Sequence, residues 1–188
     1  MNDTTSDIYT VRSLRADEWP AVKELRLAAL QDPVAPIAFL ETYDNAVSQP
    51  DSFWEERAAR AAEGATSGVQ QFVAERADGT WVGSVTVLLE EAGTSDWAGF
   101  PVERRQGHLV GVFVRPEARG SGVAKELFDA SVEWAWGQGA ERIRLIVHQD
   151  NPRAQGFYRK VGFVPSGVVV PLPQAPGEAE LEFVLERS

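Results

Sequence analysis

Residues 112–124 join an apolar run to the start of a helix through one proline and two glycines. In order they are Val112-Phe113-Val114-Arg115-Pro116-Glu117-Ala118-Arg119-Gly120-Ser121-Gly122-Val123-Ala124. Glycines lack the Cβ atoms that would block a ligand, and the first N–H groups of a helix have no internal partner and lie at the positive end of the helix dipole. The turn is therefore a candidate site for an anionic phosphate.

This turn does not specify a ligand by itself, because Gly120 and Gly122 could equally make a tight turn that binds nothing. Spacing excludes two other phosphate sites. The dinucleotide-binding motif needs a third glycine and a later ribose-binding acid, and neither is present at the required position. The phosphate loop of nucleoside triphosphatases fails because Lys125 is neither preceded by Gly nor followed by Ser or Thr.

At these residues the chain resembles the GCN5-related N-acetyltransferase (GNAT) superfamily. The family signature Arg-x-x-Gly-x-Gly/Ala matches residues 119–124 completely. A second family block, Asn-x-x-Ala-x-x-Phe-Tyr-x-Lys-x-Gly-Phe, matches without a gap at Asn151, Ala154, Phe157, Tyr158, Lys160, Gly162 and Phe163. The resemblance is specific over the signature core, residues 109–163, and only architectural before it.

The resemblance implies acetyl-CoA as co-substrate. It implies that the backbone amides of Val112 and Val114 pair with the pantetheine arm, as a sheet edge pairs with a peptide, and that the amides of residues 120–124 hold the pyrophosphate. Asn151 would cap a helix and also orient the pantetheine. The predicted cofactor-binding residues are Val112, Phe113, Val114, Arg119, Gly120, Ser121, Gly122, Val123, Ala124, Asn151, Ala154 and Tyr158.

Tyr158 is the predicted general acid. Ala154, Phe157, Tyr158 and Val161 lie at i, i+3, i+4 and i+7 and so form one helix face, which by pattern alone makes Tyr158 a core aromatic. The resemblance places it at the departing sulfur. A phenol of pKa about 10 is suited to protonate a thiolate whose thiol has a pKa of about 8.5.

The sequence leaves three candidates for the general base. A neutral amine is needed for attack, so a side chain or a water chain must accept a proton. His108, at the start of the central strand, is the first candidate, and Glu90 and Glu91 are the others, although such strand-end residues are more often simply solvated. Arg119 is expected to pair with phosphate or with Glu117.

The elements that position these residues follow from periodicity and turn signals. Asp17 and Asp51 are expected to cap the first two helices, and residues 90–107, with Trp97 and Phe100, form a loop-like insertion that either closes over a site or packs on the surface. Strands are predicted over residues 8–14, 69–76, 81–89, 109–115, 142–148, 163–170 and 180–185, and helices over residues 17–33, 53–63, 123–136 and 152–161.

The predicted fold class is α/β (α+β), specifically the acyl-CoA N-acyltransferase fold. It has a mixed central sheet of six to seven strands with flanking helices. Its fourth and fifth strands are parallel because a helix joins them, and by resemblance they splay apart at their carboxyl ends. At 188 residues with 44% hydrophobic content, the chain is predicted to form one domain over residues 1–188.

Composition narrows the chemistry. The chain has no cysteine, which excludes an acyl-thioenzyme on this chain, and two histidines are too few to predict a metal site. A net charge of −10 argues against a nucleic-acid partner and slightly favours a cationic substrate. The polar segment Met1–Asp7 and the lack of a run of about 20 apolar residues predict a cytoplasmic protein with no membrane span.

The predicted function is acetyl transfer from acetyl-CoA to a primary amine by direct attack. Acceptor classes left open are a polyamine or aminoglycoside-like polycation, an amino acid, and a peptide or protein amine. The alternative is a non-catalytic acyl-CoA sensor, which would keep residues 119–124 but would not need Tyr158. A homodimer is implied by the resemblance alone.

Overall fold

The computed structural model describes residues 9–96 and 98–188. Three predictions fall on residues outside this range: the polar segment Met1–Asp7, the start of the first strand at Ile8, and Trp97 of the insertion. The strands are β1 (Tyr9–Ser13), β2 (Val69–Arg76), β3 (Trp81–Glu90), β4 (Gln106–Val114), β5 (Arg142–His148), β6 (Val164–Pro171) and β7 (Ala179–Glu186), and the helices are α1 (Trp19–Leu30), α2 (Ala35–Ala38), α3 (Tyr43–Val47), α4 (Asp51–Ala61), α5 (Val123–Gly137) and α6 (Pro152–Lys160).

One seven-stranded sheet organises the chain, in the order β1-β2-β3-β4-β5-β7-β6. Its neighbouring strands are antiparallel except for β4 and β5, which are parallel and joined through α5. The mixed sheet, its strand number and the parallel central pair confirm the predicted fold class.

Two apolar layers cover the sheet, because successive residues of a strand point to opposite faces. Ala74 of β2 belongs to the layer under α5 and α6, where Phe128 of α5 is also buried. Val73, one residue earlier, belongs to the layer under α1 and α4, where Trp54 is fully buried. Burying each large apolar side chain contributes about 1.5–3 kcal/mol, so both layers hold the sheet rigid.

Two predicted helix caps are wrong. Asp17 lies inside a 3-10 turn, Ala16–Glu18, and α1 begins only at Trp19. The side chain of Glu18 accepts hydrogen bonds from Arg12 and from the Arg15 backbone N–H, which fixes the turn instead. Asp51 is the first residue of α4 and not its cap, because Pro50 holds the extended conformation that precedes the helix.

Other boundaries also differ from the predictions. The proline-containing segment 32–50 contains two short helices, α2 and α3, and Thr42 caps α3 by accepting a hydrogen bond from the Asn45 N–H. Strand β4 begins at Gln106, three residues before the predicted start. This part of the strand was not predicted because Gln106 and His108, on either side of Gly107, are polar although buried, so they interrupt the apolar pattern. Among the described residues, no helix is both long and apolar enough to cross a bilayer.

Candidate active site

The parallel pair β4–β5 is hydrogen-bonded along only part of its length. Residues 106–109 of β4 pair with residues 142–145 of β5, whereas β4 continues to Val114 beside β3 and β5 continues to His148 beside β7. The strands therefore separate towards their carboxyl ends and leave a wedge between them, as predicted. Gly111, with φ +62°, lies in the unpaired half of β4, beside an irregularity in its pairing with β3.

The unpaired edge of β4 presents backbone amides to this wedge. The Arg115 N–H donates to the carbonyl oxygen of Val82 on β3, at 2.7 Å. Because backbone groups alternate in direction along a strand, the N–H groups of Val114 and Val112 point the other way, towards β5. They can pair with an extended, peptide-like ligand. Phe113 directs its backbone towards β3, and its side chain is buried in the layer under α1 and α4.

The glycine turn follows directly after β4. Gly120 and Gly122 have φ angles of +81° and +87°, and nothing lies within 4 Å of the position that a Cβ would occupy on either residue. Gly122 precedes α5, so the N–H groups of Val123 and Ala124 lack partners within the helix. A left-handed glycine pair, open space and free donors at the positive end of a 15-residue helix together fit a pyrophosphate.

Arg119 has a partner that the sequence did not indicate. Its Nη2 atom lies 2.6 Å from Oδ2 of Asp32, and its Nε donates to the Val114 carbonyl oxygen at 3.0 Å. Burial alone would raise the pKa of Asp32, but the Val34 N–H and Arg119 outweigh this and lower it. Arg119 thus joins the end of β4 to the segment after α1, whereas the predicted pairing with Glu117 does not form.

Tyr158 lies in α6 among aromatic side chains, with ring centroids 5.7 Å from Phe128 and 6.3 Å from Phe183. Burial, with a smaller contribution from Glu180, raises the pKa of Tyr158 to about 12. The phenol is therefore protonated at every physiological pH and is available as a proton donor. At the start of the same helix, Asn151 accepts a hydrogen bond from the Ala154 N–H at 3.3 Å, as the predicted cap requires.

The candidate bases lie at the opposite, paired end of β4. The His108 Nδ1 atom is 3.4 Å from Oε2 of Glu90 but is not aligned for a hydrogen bond, and its side chain is 4% exposed. Burial would raise the pKa of Glu90, but His108, Gln106 and Arg144 outweigh it and lower it. The side chain of Glu91 is half exposed and paired with Arg105. The structure thus brings His108 and Glu90 together and excludes Glu91 from their cluster.

A small cavity that the sequence did not predict lies on the α1 and α4 side of the sheet, and we call it the arginine cavity. Its volume is about 30 Å³. Polar side chains of β2 and β3 and the backbone of β4 form its floor, and α1 and α4 form its walls. The lining residues are Val22, Leu25, Arg26, Ala29, Arg57, Gln71, Ser84, Thr86, Gly111 and Phe113.

A parallel strand pair that opens into a wedge, followed by a glycine turn that starts a helix, defines the class of acyl-CoA N-acyltransferase folds. The sequence model of the Acetyltransferase (GNAT) family matches residues 19–163. The chain therefore belongs to the GNAT family of acetyltransferases, which use acetyl-CoA as co-substrate, and the resemblance drawn from the two motifs is confirmed.

Individual relatives agree with this assignment. The chain is 36% identical over 92 residues to a mycothiol acetyltransferase of Saccharomonospora viridis, covering 49% of this chain and 29% of the relative. It is 28% identical over 82 residues to a putative [ribosomal protein bS18]-alanine N-acetyltransferase of Bacillus subtilis, covering 44% and 54%. The matches thus span about a third to a half of these relatives.

Solved structures share the fold over nearly the whole chain. A GNAT-family acetyltransferase from Streptococcus pneumoniae superposes with a TM-score of 0.71 at 16% identity, covering 96% of this chain and 100% of that one. A GCN5-related N-acetyltransferase from Kribbella flavida superposes with a TM-score of 0.67 at 20% identity, covering 95% and 98%. At these identities the likeness establishes architecture alone.

Proposed function

We propose that this protein transfers the acetyl group of acetyl-CoA to a primary amine by direct attack on the thioester. The observation that carries the proposal is the wedge, where an unpaired strand edge leads into an open glycine turn with free N–H donors. The amides of Val112 and Val114 would align the pantetheine arm, and those of residues 120–124 would hold the pyrophosphate.

In the proposed reaction, the amine nitrogen bonds to the thioester carbonyl carbon and the carbon–sulfur bond breaks. Tyr158 gives its phenolic proton to the departing sulfur, and the proton that the new amide nitrogen loses restores the phenol. Its raised pKa is compatible with this role, because the burial that disfavours a phenolate also disfavours a thiolate in the same apolar cleft, so the two pKa values rise together.

The amine must lose a proton to become neutral before attack. His108 and Glu90 form the candidate accepting pair, because the Nδ1 atom of His108 lies 3.4 Å from Oε2 of Glu90 and has no hydrogen-bond partner among the described residues. Both lie where β4 is still paired, so we propose that water relays the proton from the wedge to them. A cytoplasmic location and a homodimer stay predictions.

A protonated tyrosine in the second family motif supports catalysis over an acyl-CoA sensor, and the Tyr158→Phe variant tests this directly. Phenylalanine keeps the aromatic packing and deletes the proton donor. We expect kcat to fall about 10²–10³-fold while the Kd for acetyl-CoA changes less than threefold. The measurements are thiol release for kcat and calorimetric titration for the Kd.

Tyr9→Phe, which removes a hydroxyl from edge strand β1, is the matched control and should retain full activity. Unimpaired turnover by Tyr158→Phe would remove the tyrosine from the mechanism. Undetectable acetyl-CoA binding by the unmodified protein would overturn the proposed function as a whole.

A further inference from the structure

The arginine cavity has a positively charged lining in a protein whose net charge is −10. Arg26 from α1 and Arg57 from α4 both contribute to its wall. Among residues 9–96 and 98–188, the carboxylate partner of both is Glu41, which lies outside the lining. Both guanidinium groups approach the same Glu41 oxygen, Oε2, at 3.2 and 3.5 Å. A ligand entering the cavity therefore meets two cations and no anion among its lining residues.

The two arginines are held in place by rings as well as by Glu41. The guanidinium carbon of Arg26 lies 4.6 Å from the ring centre of Phe39, and that of Arg57 lies 5.5 Å from the ring centre of Trp54. Burial, together with the charge of Arg57, lowers the pKa of Arg26. The Nε atom of Arg26 is buried without a hydrogen-bond partner. One carboxylate thus faces two guanidinium groups, and a bound anion would supply the second negative charge.

The floor of the cavity is polar where a sheet face is usually apolar. Gln71 on β2 and Ser84 on β3 are 9% and 7% exposed, and both line the cavity. The Gln71 amide and the Ser84 hydroxyl are hydrogen-bond donors, so a carboxylate in the cavity could accept hydrogen bonds from them.

The cavity also touches the proposed reaction centre. Gly111 and Phe113 belong both to its lining and to the half of β4 beside the wedge. A volume of about 30 Å³ holds roughly two water-sized groups, which suits a carboxylate and not a whole substrate. An acceptor whose carboxylate is bound in the cavity would have the rest of its structure beside the wedge.

We infer that the arginine cavity binds the carboxylate of the acceptor, so that the acceptor is a small primary amine that also carries a carboxylate, such as an amino acid or a short peptide. The inference rests on the proposed acetyl transfer and names its substrate class. Planar guanidinium groups match a carboxylate through paired hydrogen bonds, which favours this anion. The local charge thus opposes the preference for a cation that net charge alone suggested.

The test compares each amino acid with its own amide in the thiol-release assay, with spermidine and cadaverine as amines that lack a carboxylate. The amide keeps the amine and the size but removes the negative charge, and its amine is the less basic and so more often neutral. We expect kcat/KM for at least one amino acid to exceed that of its amide about tenfold or more. We expect Arg26→Gln and Arg57→Gln each to reduce this preference to below about threefold.

Arg60→Gln is the matched control, because Arg60 lies one turn further along α4, is exposed and does not line the cavity. It should keep the full preference, and all three variants should keep the acetyl-CoA affinity. Arg57 is the more exposed of the two arginines, so Arg57→Gln preserves the test if Arg26→Gln does not fold.

Equal or faster acetylation of the amides, or of the amines without a carboxylate, would overturn this inference and leave acetyl transfer standing. An amino-acid preference that survives in both variants would equally overturn it. No thiol release from any amine would overturn the inference as well, and acetyl-CoA titration would then show whether the proposed function fails with it.

Discussion

The two ends of the β4–β5 pair differ in every property that matters for binding. At the amino-terminal end, the backbones are paired and buried charges meet each other: Arg144 lies 2.5 Å from Asp96 and 3.1 Å from Glu182. At the carboxyl end, the backbones separate, and the glycine turn exposes N–H groups with no partner in the helix. We call these the closed end and the open end.

The closed end shows how β4 and β5 stay joined although they are paired over only part of their length. At the closed end, the side chains of Asp96, Arg144 and Glu182 are only 2–7% exposed. Asp96 belongs to the loop between β3 and β4. That loop is tied to the sheet through Arg144, so the insertion is packed on the strands at this point. The closed end is thus held by backbone pairing and by buried ion pairs, whereas β4 and β5 are not paired with each other at the open end.

The largest expected effect is a loss of acetyl-CoA affinity when the glycine turn at the open end is blocked. In Gly122→Glu, a side chain and a negative charge enter the space that is empty beside Gly122 and meet the proposed pyrophosphate. Losing several hydrogen bonds to a charged group should weaken acetyl-CoA binding on the order of 10³-fold. Calorimetric titration with acetyl-CoA measures this.

Gly64→Glu is the matched control, since Gly64 has φ +78° and open space around it but lies after α4. Glutamate carries the same backbone strain of about 1–2 kcal/mol at either position, so only the effect on binding should differ. Unchanged acetyl-CoA affinity in Gly122→Glu would mean that the glycine turn is no ligand site.

Breaking the closed end should reduce stability and leave binding nearly intact. Asp96→Ala removes one of the carboxylates around Arg144, whose side chain is 3% exposed. We expect the free energy of unfolding to fall by about 3 kcal/mol. This is the lower end of the range for breaking a buried ion pair, because Glu182 and Glu90 still pair with Arg144 in the variant. Urea unfolding measures it.

Glu91→Ala in the same loop serves for comparison, because the Glu91–Arg105 pair is well exposed and should contribute at most about 1 kcal/mol. If Asp96→Ala and Glu91→Ala were equally stable, the ion cluster would not be what fixes the closed end.

The smallest expected effect is on the pH dependence of kcat, which distinguishes a buried phenol from an ordinary tyrosine. The pKa of Tyr158 is raised to about 12, and the general acid must be protonated, so the donor stays intact as pH rises. About 1% of the phenol is ionised at pH 10, compared with half of an ordinary tyrosine. We expect kcat to be level between pH 8 and pH 10. A decline that Tyr158→Phe abolishes, with a midpoint below pH 10, would contradict the burial of this phenol.

Local patterns were sufficient to predict the open end. The glycine turn, the start of α5 and the Asn151 cap each depend on residues close together in sequence, and the turn chemistry of Gly and Pro is specific. The parallel strands followed from the helix between them. Strand and helix boundaries were off by a few residues, most clearly at β4, where buried polar residues interrupt the apolar pattern.

The closed end and the arginine cavity depend on pairs that sequence patterns cannot join. Arg119 and Asp32 are 87 positions apart, and Arg144 and Asp96 are 48 apart. A charged residue in an amphipathic helix is normally taken as solvent-facing, so Arg26 gave no sign that it faces a cavity. Only the packing of α1 and α4 over β2–β4 brings Arg26 and Arg57 together.

The position of β7 has a consequence for when the site can exist during synthesis. Strand β7 lies between β5 and β6 and pairs with β5 along its whole length, whereas β4 pairs with β5 only over residues 142–145. A growing chain that has passed Phe163 already contains every residue of both motifs but lacks the strand that holds β5 from its other side. Because domains generally fold as units, the wedge should form only after the ribosome has passed residue 186, and nascent chains should bind no acetyl-CoA before then.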